Sequence, residues 1–498
     1  MINIASTQLP IAIILTPFFA GLLAILLGVF NKKLCAPIAM IGTALCSFFA
    51  SKTFFVVQTE GELYYNLGGW IPPIGIEYVI DLLNAMVLVL IAAVSFLASI
   101  YGQRTIEKEL SDRTPHFYAL FLFLITGLLG ITITGDVFNI YVLLEVAALS
   151  SYALLALGGG KAFLATFNYL MIGTIGACFY LLGAGFLLIK TGTLNMADIS
   201  YQLTQLPYSN AVYVALILMI GGMFVKMALF PAHGWLANAY SAAPTAVGCI
   251  IAPLMTKVSV YVVIRIIISV FSTTYVFEAL NIANFIVYTS IIAIIVGSFY
   301  ALMQQDFRRL LCYLVIAEIG YMMGGLWLGN AFGFTGAVYH LIADAAMTFC
   351  LFMAVGAIYY KKGSLKLNEI SGLFKEMPIT MSIFVLAGFS MVGIPPTAGF
   401  FSKWYLISGA LHAGQYAFMI ALLGSSLVNA IIMFKIIENA FMKPAIQPDQ
   451  KSSFSEAPLS MLVPMTVCAI FIVLWGVFSS TIIQEIISPI NPFLGQIQ

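Results

Sequence analysis

Apolar residues run along this chain in long continuous stretches, each closed by a short polar connection, and they do not alternate with polar ones. A stretch of about 20 apolar residues is needed to cross the hydrocarbon core of a bilayer as a helix. By that measure about fourteen helices are expected, near 8–30, 35–57, 78–101, 115–134, 137–157, 164–190, 211–240, 244–271, 281–303, 309–329, 333–360, 378–415, 416–442 and 458–485. The alternation that marks a transmembrane β-strand is missing from these runs. The expected fold class is an all-α membrane protein.

Two of these spans contain a break, the seventh at Pro231 and the twelfth at Pro395-Pro396. Proline lacks a backbone N–H and crowds the preceding turn. At membrane depth the backbone groups it frees are tolerated only around protein or a water-filled cavity. Each break falls in the fourth helix of a five-helix set, spans 4–8 and spans 9–13. Five is odd, so successive sets enter the membrane from opposite sides, and two inverted five-helix repeats are expected, as in many transporters. The chain then divides into an N-terminal three-helix segment (1–114), a first repeat (115–271), a second repeat (281–442) and a C-terminal helix (443–498).

Charge in the connections fits the same span count. Lys32, Lys33, Arg104, Lys108, Arg113, Lys161, Arg308, Arg309, Lys361, Lys362, Lys366, Lys375, Lys443 and Lys451 follow odd-numbered spans. The loop after the second span carries Glu60, Glu62 and Glu77 instead. Basic loops stay on the cytoplasmic side, so both termini are expected outside the cytoplasm. The first span has no basic region before it, so a retained helix is expected there rather than a cleaved signal peptide.

Composition excludes several function classes. Of 498 residues, 62% are hydrophobic and 8% charged, with net charge +1, against roughly a quarter charged in soluble domains. An electrostatic nucleic-acid binder is excluded. The longest polar connections leave no room for a soluble catalytic domain, and neither a P-loop nor a dinucleotide fingerprint follows a strand. The seven cysteines stand singly, without C-x-x-C spacing, and read as small buried hydrophobes. No cofactor and no metal site is expected.

The informative residues are charges inside the apolar runs, where an ionisable group is costly and points to function. Glu145, in "YVLLEVAALSSYALL", sits mid-span, and Lys226, in "MFVKMALFPAHGW", is its natural partner. An ion pair at 4 Å is worth on the order of 4 kcal/mol at an effective dielectric near 20, so opening and closing the pair could load and release a proton. Lys257 and Lys403 are further mid-membrane lysines. His340 suits a proton relay, and Asp344, one turn later on the same helical face, is expected to orient it or to share the relay. His233 and Glu318 are secondary candidates, and no partner for Glu318 is visible in the sequence. Lys435 and Glu438 are expected to pair near a helix end, and Arg265 to be structural. The competing accounts are a neutral packing carboxyl for Glu145, snorkelling to an interface for Lys226, a closed ion pair without a transport role for Lys257 and Lys403, and a satisfied core histidine for His340.

The segments "MFVKMALFPAHGWLANAYSAAPT", "PLMTKVSVYVVIR", "QQDFRRLLCYLVIAEIGYMM" and "GIPPTAGFFSKWYL" together resemble the signature segments of the antiporter-like, proton-conducting membrane subunits. These are the large membrane subunits of respiratory complex I and of Mrp-type multisubunit cation/proton antiporters. "GGWIPPIGIEYVIDLLNAM" is most similar to the D-type members of the Mrp antiporters. The resemblance covers nearly the whole chain. It implies the fourteen-helix fold and a buried hydrophilic axis for proton translocation, carried over as Glu145, Lys226, Lys257, His340 and Lys403. Asp344 stands where the family often has a second basic residue, so the link from Lys257 to Lys403 is expected to run through a carboxylate or to differ. The expected function is that of a membrane subunit, not an enzyme, of a monovalent-cation (Na⁺)/proton antiporter in a bacterial cytoplasmic membrane, with other membrane subunits as partners. The alternative is the proton-pumping subunit of a respiratory NADH dehydrogenase or membrane-bound hydrogenase.

Overall fold

A computed structural model describes residues 7–206, 209–279, 282–369, 371–442 and 455–494; Lys443 and Lys451 of the charge pattern lie outside them. Thirteen helices among the described residues are long and apolar enough to cross a membrane. The fourteenth expected span is the broken twelfth, divided into Pro378–Val392 and Ala398–His412. The seventh is divided as well, into Asn210–Met227 and Gly234–Ala242. The chain is a multi-pass, mostly helical membrane protein.

Its residues group into two compact units. The first comprises Met1–Ser99, Leu110–Ala228 and Leu254–Ile282, the second Ile100–Glu109, Leu229–Pro253 and Ala283–Gln498. The chain leaves the first unit at Ala228, inside the break of the seventh span. In the first unit Lys161–Thr191 packs along Asn210–Met227, and Thr114–Ile133 along Val137–Ala156. In the second, Ala331–Lys362 lies against Phe307–Trp327, Pro378–Val392, Ala398–His412 and Leu459–Val477, so its side chains are buried nearly all round.

A junction seen in the first unit recurs in the second. Asp136 caps Val137–Ala156 by accepting from Asn139 N at 2.7 Å, and Asp306 caps Phe307–Trp327 by accepting from Arg309 N at 2.8 Å. Asp136 bridges to Asn195, just past the left-handed Gly192 that ends Lys161–Thr191. Asp306 bridges to Lys366, just past the left-handed Gly363 that ends Ala331–Lys362. The breaks match too. Pro378–Val392 ends on Gly393 (φ 95°) and Asn210–Met227 on Ala228 (φ 63°).

Two features escaped the hydropathy reading. The third span starts at Leu82 instead of near 78, because Asp81 and Asn84 cap each other reciprocally at 2.8 and 3.0 Å. Residues before it form strand Glu77–Ile80, paired antiparallel with Leu63–Asn66. Helix Met196–Gln205, capped by Asn195, fills what reads as a loop between the sixth and seventh spans. Arg265 is structural, as expected. It clamps Asp81 with two nitrogens at 2.6 and 2.5 Å and donates through Nε to the Tyr261 hydroxyl at 2.7 Å.

That clamp has a pH signature. Burial alone would raise the Asp81 carboxyl, but Arg265 and the Asn84 and Leu83 amides outweigh it and hold the group below the usual carboxylate range. A depressed folded value stabilises in full above the unfolded value of about 4 and is lost as pH falls from there through the folded value. The protection of the amides at the start of Leu82–Glu109, taken relative to their intrinsic exchange rate, should therefore fall on acidification below about pH 4. Asp81→Asn should flatten that dependence and leave a faster exchange rate at neutral pH.

Candidate functional site

The first polar centre lies inside the first unit. Lys226 occupies the last turn of Asn210–Met227, where the helix dipole favours a cation, and Pro231 cannot supply the N–H that the Met227 carbonyl would otherwise bind. Its Nζ meets Glu145 Oε1 at 3.3 Å. The Lys226 side chain is 3% exposed and that of Glu145 26%. The sequence reading paired these residues across a separation of 81 positions, and they touch. Lys257 is also buried, at 1% exposure, on Thr245–Arg265.

A second centre occupies the second unit. His340 Nε2 meets Glu318 Oε2 at 2.7 Å, with both side chains fully buried, and its Nδ1 meets the Ser402 hydroxyl at 2.9 Å. Glu318 thus has the partner that the sequence did not reveal. Both ring nitrogens of His340 are taken, so Asp344 does not orient the ring; its Oδ1 accepts from the Thr348 hydroxyl at 2.9 Å, one turn on. His233 is apart from the other candidates: its ring stacks on Phe230 at 5.4 Å. Lys435 is exposed on Tyr416–Ile437.

Lys403 is held without a carboxylate contact. Its Nζ donates to the carbonyls of Met391 at 2.6 Å and Val392 at 3.3 Å and to the Ser426 hydroxyl at 2.9 Å. The cause is readable in the chain. In a continuous helix those two carbonyls would accept from the amides four residues on, which are Pro395 and Pro396 and have none. The lysine reaches back across the break and takes their place. Its stem passes Gly393, where an added Cβ would stand 3.2 Å from Lys403 Cδ, in a backbone conformation (φ 95°) that itself favours glycine.

The sequence reading missed a set of neutral polar residues here. Tyr321 donates to the Ser425 hydroxyl at 2.6 Å, and Ser425 meets Ser298 at 2.5 Å. The Tyr321 ring lies 5.5 Å from that of His340 and 5.1 Å from Lys403 Nζ. Buried Asn429 donates to the Met391 carbonyl at 3.3 Å. Ser425, Ser426 and Asn429 fall within about one helical turn of "SSLVNA", and this polar cluster inside an apolar span is the signal that could have found them. Each centre thus places ionisable groups in short contacts within apolar surroundings.

The family described as "NADH:quinone oxidoreductase/Mrp antiporter, TM" matches residues 134–428, which include both centres. The chain is 39% identical over 503 residues to the N subunit of the NADH-quinone oxidoreductase of Desulforudis audaxviator, covering 98% of this chain and 99% of the relative. It is 29% identical over 463 residues to the D-type component of the Na⁺/H⁺ antiporter of Alkalihalophilus pseudofirmus, covering 92% of each. Among solved structures, the membrane-bound sulfane sulfur reductase, an archaeal respiratory membrane complex, contains a chain that superimposes with a TM-score of 0.88 at 28% identity, covering 98% of both.

Proposed function

This chain belongs to the NADH:quinone oxidoreductase/Mrp antiporter transmembrane family, and from that premise we propose that it translocates protons as a subunit of a multisubunit monovalent-cation/proton antiporter. The observation that carries the reading is the Glu145–Lys226 contact, a carboxylate and an ammonium 3.3 Å apart in an apolar segment. Proton movement follows from opening and closing such contacts along Glu145, Lys226, Lys257, His340 and Lys403, with Glu318 as the acid beside His340. The protein is a transporter component with no catalysis of its own. Sodium is the proposed cation, other membrane subunits its partners, and a bacterial cytoplasmic membrane its location, with both termini outside and the two five-helix units inverted.

A second reading has an observation of its own. The 39% identical relative is named as part of a quinone oxidoreductase, which favours a pump whose protons are driven by redox chemistry in neighbouring subunits. The two readings share the proton path and differ in what drives it.

One experiment separates them. The chain is expressed with its operon neighbours in an antiporter-deficient host, and inverted vesicles are energised with a respiratory substrate. Addition of NaCl, KCl or LiCl should release the quench of an acridine dye, with sodium the most effective. A fully assembled complex that gives no release with any of the three refutes the antiporter and leaves the redox-driven pump.

A further inference from the structure

The oxygens around Lys403 form an uncharged cage at a helix break. The carbonyls of Met391 and Val392 are freed by Pro395 and Pro396, and the Ser426 hydroxyl completes the three acceptors of the ammonium. Asn429 stands at the same place. It is 0% exposed, and its Nδ2 donates to the carbonyl that Lys403 also uses. Its Oδ1 is buried and accepts no hydrogen bond among the described residues. The side chain that shares the Met391 carbonyl with Lys403 therefore carries a buried, unused oxygen, although leaving a buried acceptor unmade is costly.

We propose that the Met391 and Val392 carbonyls, the Ser426 hydroxyl and the Asn429 amide oxygen are a binding site for a dehydrated monovalent alkali cation, which the Lys403 ammonium occupies in the cation's stead. Hard cations are held by oxygen ligands, and unwound backbone carbonyls at helix breaks can supply them inside a membrane. A neutral oxygen set suits a single charge better than two. The charged and titratable groups that bear on Lys403 are Glu318 and Asp344, whose charges reach it from Phe307–Trp327 and Ala331–Lys362, and Tyr321, whose ring it overlies. His340 lies one residue away through Ser402. When Lys403 gives one proton to water, the neutral amine cannot satisfy three acceptors, and one cation can enter. One positive charge leaves the cage and one arrives, so ammonium and cation exclude each other. The contrast is with Lys226, whose partner is the Glu145 carboxylate. The inference rests on the proton-handling reading of Lys403 given above.

The test is binding of radiolabelled sodium to the purified full-length chain in lipid nanodiscs, read by scintillation proximity across pH. Wild type should bind little sodium at acid pH and progressively more as pH rises. Lys403→Met removes the tethered ammonium and should bind sodium with no pH dependence, at least about tenfold better than wild type at acid pH. Lys403→Arg, whose guanidinium does not lose its charge, should bind none at any pH. Adding Asn429→Leu to Lys403→Met should weaken the acquired binding about tenfold or more. A Lys403→Met chain that unfolds at the wild-type temperature and takes up no sodium, potassium or lithium at any pH overturns the cation site. If that variant still blocks proton transport in the assembled complex, the proton reading stands without it. If proton transport survives Lys403→Met, the reading beneath falls and this inference falls with it.

Discussion

Glu145→Gln should abolish cation-dependent proton movement in the assembled complex and leave its folding intact. The amide matches the carboxyl in size and keeps an acceptor for Lys226 Nζ, so the 3.3 Å contact can survive as a hydrogen bond. What is lost is the opposing charge. At an effective dielectric near 20 that charge is worth on the order of 4 kcal/mol to a neighbouring ammonium. Without it, making and breaking the contact no longer changes how firmly Lys226 holds its proton. Dye-quench transport in energised vesicles is expected to fall by about a hundredfold or more, with the amount of assembled complex unchanged. Lys226→Met alone should do the same, and the double replacement should be no worse than either. Residues acting as one unit give strongly non-additive changes. Transport unaffected by Glu145→Gln would make the pair a structural contact. Additive losses in the double variant would mean that the two residues serve the path separately.

That this pair could be read from the chain, and the Glu318–His340 pair could not, has a physical reason. Hydropathy fixes which segments lie in the membrane and where prolines interrupt them. Both breaks, all fourteen spans and the buried lysines follow from this, because a charge in an apolar run stands out against its surroundings. Hydropathy does not fix the rotation of one buried helix against another. Phe307–Trp327 and Ala331–Lys362 are buried on nearly every side, so no polar stripe tells which face of either meets the other. From the sequence Asp344, one turn from His340, looks like its partner. The observed partner is Glu318, on the preceding helix of the hairpin. Ser402, Ser425, Ser426 and Asn429 were hidden for another reason: serine and asparagine inside a membrane helix commonly serve packing and helix contact. Their contacts differ: Ser426 accepts from Lys403, Asn429 shares the Met391 carbonyl with it, Ser402 meets His340, and Ser425 meets Tyr321. Lys403 itself was legible as a charge but not as a substitute for missing amides. Its role follows once Pro395 and Pro396 are counted four residues on from Met391 and Val392.

The Glu318–His340 contact should separate stability from transport more cleanly than any other in the chain. Both side chains are fully buried, and the 2.7 Å distance puts one proton between them. His340→Leu leaves the Glu318 carboxyl facing an apolar side chain. Breaking a buried pair from one side costs about 3–5 kcal/mol, because the remaining group keeps its desolvation penalty. The assembled complex should therefore unfold at a visibly lower temperature, followed by fluorescence-detected size exclusion after heating. Adding Glu318→Leu to His340→Leu removes the stranded group, and replacing both partners by apolar residues can be close to neutral. The double variant should recover most of the lost thermal stability. Proton transport should not recover with it, because neither a base nor an acid then stands between Ser402 and Phe307–Trp327. Glu318→Gln supplies the third point: it keeps an acceptor for the His340 ring and should fold like wild type while transporting poorly. A double apolar variant that regained both stability and transport would remove His340 and Glu318 from the proton path and leave them as an internal ion pair. A double variant that stayed as unstable as His340→Leu would instead assign the lost stability to packing around Tyr321 and Ser402, whose contacts with the ring at 5.5 Å and 2.9 Å disappear in both variants.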